Sequence, residues 1–265
     1  LHPRVRRQRQ MCIRDRISGI QIQDIKTLAR ESSEDARQYV YRVIKYCILV
    51  LLLSPGQKMN EAELAELLEV SRTPVHDTIL RLSREHLADI YPRRGAFVAR
   101  LDRPSIEHAV WTHRQLGISM IHSIHIRKAS EEQLLSLYLP LSQLETCLRQ
   151  EDYSRCSQLF MEYYRTLYLL AGDMDLVWEA VHNTDADLRR LLYMAAKSSP
   201  VVVRGFLYEL TDLTKTLIAR DNDKACQIFS DHISRMLMLL SPLQEQLPEY
   251  FTLHISENKV KEEIL

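Results

Sequence analysis

Six arginines (Arg72, Arg81, Arg84, Arg93, Arg94 and Arg100) fall between residues 71 and 100, against only Asp77, Glu85 and Asp89. Guanidinium groups at this density suit phosphate oxygens and, bidentately, the guanine edge. Just upstream the sign inverts, because residues 60 to 69 carry Glu61, Glu63, Glu66 and Glu69 and no base. Whole-chain charge hides the pattern, since Lys plus Arg and Asp plus Glu number 35 each. A polyanion-binding surface must therefore be local.

Other reactive side chains point to less. His122 and His125 lie three apart, and with His108 and His113 they resemble a metal cluster, but no acidic or cysteine partner stands at ligand spacing. The four are expected to be surface or interdomain residues. Cysteines 12, 47, 147, 156 and 226 form no CxxC pair, which suits reduced thiols in a cytoplasmic protein better than a disulfide framework. No nucleophile with a base, and no acid/base pair, is recognisable, which argues against an enzyme. The longest apolar run, Cys47 to Leu53, is far shorter than the roughly 20 residues that span a bilayer, so no membrane segment is expected.

The elements that must position the arginines follow from spacing. Val40, Val43, Cys47 and Leu51 mark an amphipathic helix within residues 33–53, stopped by Ser54-Pro55-Gly56. Asn60 is a good N-cap for a second helix carrying Leu64, Ala65, Leu67 and Leu68, and a third should run from Arg72 or Thr73 to about Glu85. Only Glu69-Val70-Ser71 separates them, the tight connection of a helix-turn-helix. Two β-prone runs, Ala88 to Tyr91 and Ala96 to Ala99, flank Pro92-Arg93-Arg94-Gly95, a hairpin with a basic tip.

Beyond Leu101 the chain reads as helices over 104–128, 131–149, 154–171, 174–197, 200–219 and 222–241. Ser130 and Gln133 form a capping box at the start of the second. The fold class is therefore mainly α: an N-terminal winged helix-turn-helix with a small β-hairpin wing, then a C-terminal all-α helical bundle. The boundaries are a leader over 1–32, a winged unit over 33–101, a helical domain over 102–245 and a polar tail over 246–265. Residues 1–16 resemble a translated sequencing adapter, although their arginines also fit a basic arm on DNA.

From Ser54 to Leu101 the residues are more specific than this pattern. SPGQKMNEAELAELLEVSRTPVHDTILRL followed by PRRGAFV resembles the GntR family of bacterial transcription regulators through Pro55-Gly56, Leu64-Ala65, Val70 to Val75 and Arg94-Gly95. The helical remainder resembles the FadR-like branch, with an FCD-type effector domain. The resemblance implies that Ser71, Arg72 and Thr73 contact phosphates and base edges, Arg72 reading guanine. Arg81, on the same basic helix, and the wing residues Arg93, Arg94 and Gly95 join that set, with a solvated hairpin tip the alternative for the wing arginines. His76 stands where the family commonly has arginine, and Glu69 replaces its usual turn glycine.

Many relatives hold a divalent metal through Asp-x-x-x-His and two later histidines. Alignment puts those ligands at Phe160, Tyr164, Leu210 and His232, of which only His232 can still ligate, so no metal and no cofactor is expected. Helical periodicity also turns these four positions inward. His232 is either a buried, hydrogen-bonded histidine or a ligand contact, and Tyr164 either offers its hydroxyl to a cavity or is simply core. Arg114 matches a family arginine near the pocket, where it holds an anionic effector or a structural partner. The resemblance implies a homodimeric repressor of an operator in double-stranded DNA, released by a small-molecule effector such as an organic acid or acyl compound. The alternative is a ligand-binding or scaffolding protein with weakened DNA recognition.

Overall fold

The computed structural model describes residues 28–172 and 174–252; the expectations for residues 1–16 and for the end of the tail lie outside the described residues. Asp35 caps α1 (Ala36–Leu49) in a capping box with Gln38, so the helix starts later than Ser33. It buries Val40, Val43, Ile44 and Cys47. Asn60 caps α2 (Glu61–Leu67) as expected, and α3 runs Arg72–Arg84. These three helices enclose a core with Leu64, Val75, Ile79, Leu82 and Val98.

The wing has three strands rather than two. Between β2 (Ala88–Tyr91) and β1 (Lys58–Met59) lies β3 (Gly95–Val98), antiparallel to both, with Tyr91 opposite Gly95 and Lys58 opposite Phe97. A two-residue strand carries no alternation to read, which is why β1 escaped the pattern.

The helical domain comprises α4 (Arg103–Arg127), α5 (Glu131–Leu135), α6 (Tyr138–Arg149), α7 (Tyr153–Leu170), α8 (Asp175–Thr184), α9 (Ala186–Ser198), α10 (Pro200–Ile218), α11 (Asn222–Arg235) and α12 (Leu240–Gln246), with a 3-10 turn over Met236–Leu239. Three spans expected as single helices are divided. Pro140 and Pro242 each lack an N–H and crowd the carbonyl four residues back, so the helix must restart just before them. The third break falls at Asp185, whose carboxylate is buried against neighbours described below.

α4 and α11 lie so close that a Cβ on Gly117 would stand 1.9 Å from the Phe229 ring. Glycine there sets the distance between the two helices.

The domains meet through α9 and the chain's last described residues. Phe251 is buried and forms a parallel bridge with Leu101, the Leu101 N–H donating to the Tyr250 carbonyl at 2.9 Å. Arg100 Nε donates to the Glu249 carbonyl at 2.9 Å. The first residues of the expected polar tail are thus partly apolar, and buried Leu247, Tyr250 and Phe251 tie them to the interdomain connection. From α9, Arg190 donates to the Ala99 carbonyl, Asp187 accepts the Asp102 N–H, and Ala186 packs into the core of the winged unit.

Candidate nucleic-acid interface and effector cleft

The turn from α2 into α3 is held by the Val70 N–H on the Ala65 carbonyl at 3.0 Å, with Glu69 at φ 55. That left-handed conformation explains why glycine suits the position. Ser71 is the N-cap of α3, yet its side chain makes no capping hydrogen bond. Its hydroxyl and the first N–H groups of the helix remain available to an anion. Pro74 and Val75 are buried and anchor the first turn, while Ser71, Arg72, Thr73 and His76 are exposed. Arg72 and His76, one turn apart, share a face. His76 Nδ1 lies 3.0 Å from Glu61 Oε1 at the start of α2, and this contact raises the imidazole pKa above its ordinary value.

Arg81 is placed apart from this group. Nine residues beyond Arg72, it lies half a turn round the helix. Its guanidinium covers the Tyr41 ring at 3.5 Å and reaches Glu85 at 3.2 Å, where Lys45 and the Tyr41 hydroxyl also bind. Burial alone would raise the Glu85 carboxyl, but the hydrogen bonds from Lys45 and Tyr41 hold it below the usual range. Arg81 thus fastens α3 to α1.

At the wing tip Arg93 takes φ 63 and Gly95 φ 96, and the Arg94 N–H closes the turn on the Tyr91 carbonyl at 3.1 Å. The Arg94 guanidinium lies 5.5 Å from the centroid of Tyr91, which meets Phe97 edge to face. Such stacking orients a guanidinium without neutralising it. Lys58, missed in the sequence because β1 was, brings its side chain beside Gly95.

In the helical domain a narrow cleft, with a free volume of about 20 Å³, is lined by residues including Phe160, Tyr164, Arg189, Tyr193, Phe206 and Met236. Phe160 and Tyr164 both face it. Leu210 and His232 are fully buried but do not line the cleft. His232 Nε2 meets the Tyr164 hydroxyl at 2.6 Å and Nδ1 meets Glu209 at 2.7 Å, so the ring is buried with both nitrogens engaged. Arg114 is half-buried and off the cleft wall.

Its neighbour His113 turns into the core of the helical domain, neither at the surface nor between domains, with a 3.2 Å contact to Asp185. Periodicity could not reveal this, because the partner is 72 residues away in sequence. Asp185 also faces Arg189 Nε at 2.6 Å. Burial would raise its carboxyl pKa, but Arg189 and His113 together hold it below the usual value. His182, beside them, is lowered to about 4 by burial and by the Arg189 charge.

The donor set does not fit the family's metal. Phe160 and Leu210 offer no ligand atom, and both nitrogens of His232 are engaged. Among the described residues, no group of three or more His, Cys, Asp and Glu is placed to hold an ion. None of their helices is long and apolar enough to cross a membrane.

Comparison with known proteins agrees with this geometry. Residues 36–98 match the family described as bacterial regulatory proteins, gntR family. The chain is 22% identical over 225 residues to the HTH-type transcriptional repressor RspR of Escherichia coli K12, covering 83% of this chain and 95% of that protein. Among solved structures, E. coli McbR/YncC superposes with a TM-score of 0.68 at 16% identity, over 79% of this chain and 99% of that one. A GntR regulator from Rhodococcus sp. RHA1, itself termed putative, gives 0.64 at 15% identity, over 77% and 97%. At these identities the structural likeness is one of fold.

Proposed function

We propose, for a chain that belongs to the gntR family of bacterial regulatory proteins and is a DNA-binding transcriptional regulator rather than an enzyme, that it acts as an effector-controlled repressor. In this reading α3 enters the major groove and the β2–β3 wing lies on the adjoining backbone. The observation that carries it is the first turn of α3, where an uncapped Ser71 and the exposed Arg72, Thr73 and His76 stand together. Arg72 reads a guanine, Ser71 and the helix N–H groups take phosphates, and Arg93, Arg94 and Lys58 hold the wing to the duplex. Two subunits would occupy half-sites about one helical turn apart. The repressor name of RspR supports the sign of regulation.

The effector would enter the cleft of the helical domain. Its walls are mostly apolar, and Arg189 is the charged residue on them, which suits an organic acid or acyl compound with a small polar head. A head group that engaged Arg189 would compete with Asp185. Both sit at the start of α9, beside Asp187 and Arg190, which hold the interdomain connection at Asp102 and Ala99. A re-paired Arg189 would therefore be felt where the winged unit is attached.

The test is anisotropy of a labelled duplex, selected from random DNA by the protein itself, titrated with and without medium-chain carboxylates. Tight, salt-dependent binding that such a carboxylate weakens supports the reading. Glu69, an acidic side chain in the turn just before α3, favours the second reading, a ligand-binding or scaffolding protein with weakened DNA recognition. No duplex selected even at low salt would decide for it.

A further inference from the structure

The helix-turn-helix carries one ion pair across its two helices at the edge of the proposed DNA face. His76 Nδ1 lies 3.0 Å from Glu61 Oε1, with the two side chains 55% and 40% exposed. No described residue bonds the Nε2 atom of this ring. A carboxylate accepts and cannot donate, so the nitrogen it holds must carry a hydrogen. The neutral ring then has its lone pair on Nε2, and only the protonated ring carries N–H there.

We propose that Glu61 is a positioning residue for DNA recognition, orienting His76 so that Nε2 donates to an acceptor on the duplex in the imidazolium form and opposes that acceptor with a lone pair in the neutral form. The acceptor is a phosphate oxygen or the guanine N7/O6 edge, which share this chemistry. The inference rests on the reading that the first turn of α3 faces DNA. It adds that binding takes up a proton at His76, so that operator affinity falls as pH rises.

The surroundings support this. Glu61 faces the ring from α2, and its hydrogen bond and charge raise the imidazole pKa. Asp77 on α3 acts weakly in the same sense and is itself engaged by Arg37 of α1 at 3.1 Å. Arg72, one turn earlier, carries a like charge that opposes protonation of the ring, and the contact with Glu61 outweighs it. A duplex phosphate would favour the imidazolium further. By linkage, one proton taken up on binding changes affinity by at most about tenfold per pH unit for each subunit engaged.

The test uses the full chain and its selected duplex, with the dissociation constant measured from about pH 6 to about pH 9 at constant ionic strength, a range that brackets histidine titration. Wild-type affinity should fall steeply across it. His76→Ala should flatten the profile and bind more weakly at the acid end, and His76→Arg should bind tightly with no slope. Glu61→Gln should move the fall to lower pH with thermal stability unchanged, which a merely structural role for the pair would not produce. His86→Ala should leave the slope intact, since His86 lies at the far end of α3. A flat wild-type profile, or an unaltered slope in His76→Ala, with binding still weakened by Arg72→Ala, overturns the pair alone. No salt-dependent duplex binding at any pH overturns the DNA-binding reading and this inference with it.

Discussion

Arg190 Nη1 donates to the carbonyl oxygen of Ala99 across 2.6 Å, joining a wholly buried guanidinium of the helical domain to the end of the wing. The same side chain pairs with Asp187, whose other oxygen accepts the Asp102 N–H at 2.8 Å. Arg190→Ala leaves a partly buried carboxylate and a buried carbonyl without this partner, a loss on the order of 1–3 kcal/mol. Urea unfolding should show a correspondingly lower midpoint, with Arg190→Lys between the two. An Ala variant as stable as the wild type would mean that the junction does not depend on this contact.

Gly117 permits the approach of α4 to α11, so Gly117→Ala must push the Phe229 ring out of a buried site. Overpacking of this kind costs about 1–3 kcal/mol. Thermal unfolding should report the loss, and Phe229→Leu in the Gly117→Ala background should restore part of it. A second substitution that only adds to the damage would refute the steric account.

The helical domain should be sensitive to mild acid. Burial, with the nearby Arg189 charge, lowers His182 from 6.5 to about 4, and burial lowers His232 against the opposing hydrogen bond of Glu209. In both cases the unfolded chain binds the proton more readily. The His182 contribution is complete above about pH 6.5 and is lost as the pH falls toward about 4, and His232 acts in the same direction. Unfolding free energies at about pH 7.5 should exceed those at about pH 5, and His182→Gln should reduce the difference. Equal stability at the two pH values contradicts this.

Much of this molecule was legible because its signals are local. Asn60 and Ser130 cap the helices their neighbours called for, and the HTH motif from Leu64 to Val75 folded at the expected positions. What escaped depended on partners distant in sequence. Lys58 becomes a wing residue only by pairing with Phe97, His113 turns inward only because Asp185 waits there, and the tail docks because Phe251 finds Leu101. Arg81 shows another side of this: its charge grouped it with the DNA contacts, while its stacking on Tyr41 of α1 depends on a partner 40 residues away.

The proposed effector control would pass through Ser154, which stands close enough to Tyr193 of the cleft wall and to Tyr46 of α1 to favour ionisation of both phenols against their burial. Ser154→Ala should leave operator affinity within about twofold while reducing the effector's effect on it, since couplings of this kind are worth about 1–3 kcal/mol. Anisotropy titrations with and without the active carboxylate measure both. Undiminished release by the ligand would remove Ser154 from the route.

The central claim is that the first turn of α3 reads DNA, and Arg72 bears on it most directly. The decisive measurement is the affinity of wild type and Arg72→Ala for the selected duplex across a salt series. Loss of a bidentate guanine contact predicts binding weaker by about tenfold or more, with relaxed preference at one base pair in each half-site. An unchanged dissociation constant and an unchanged salt slope would contradict the account.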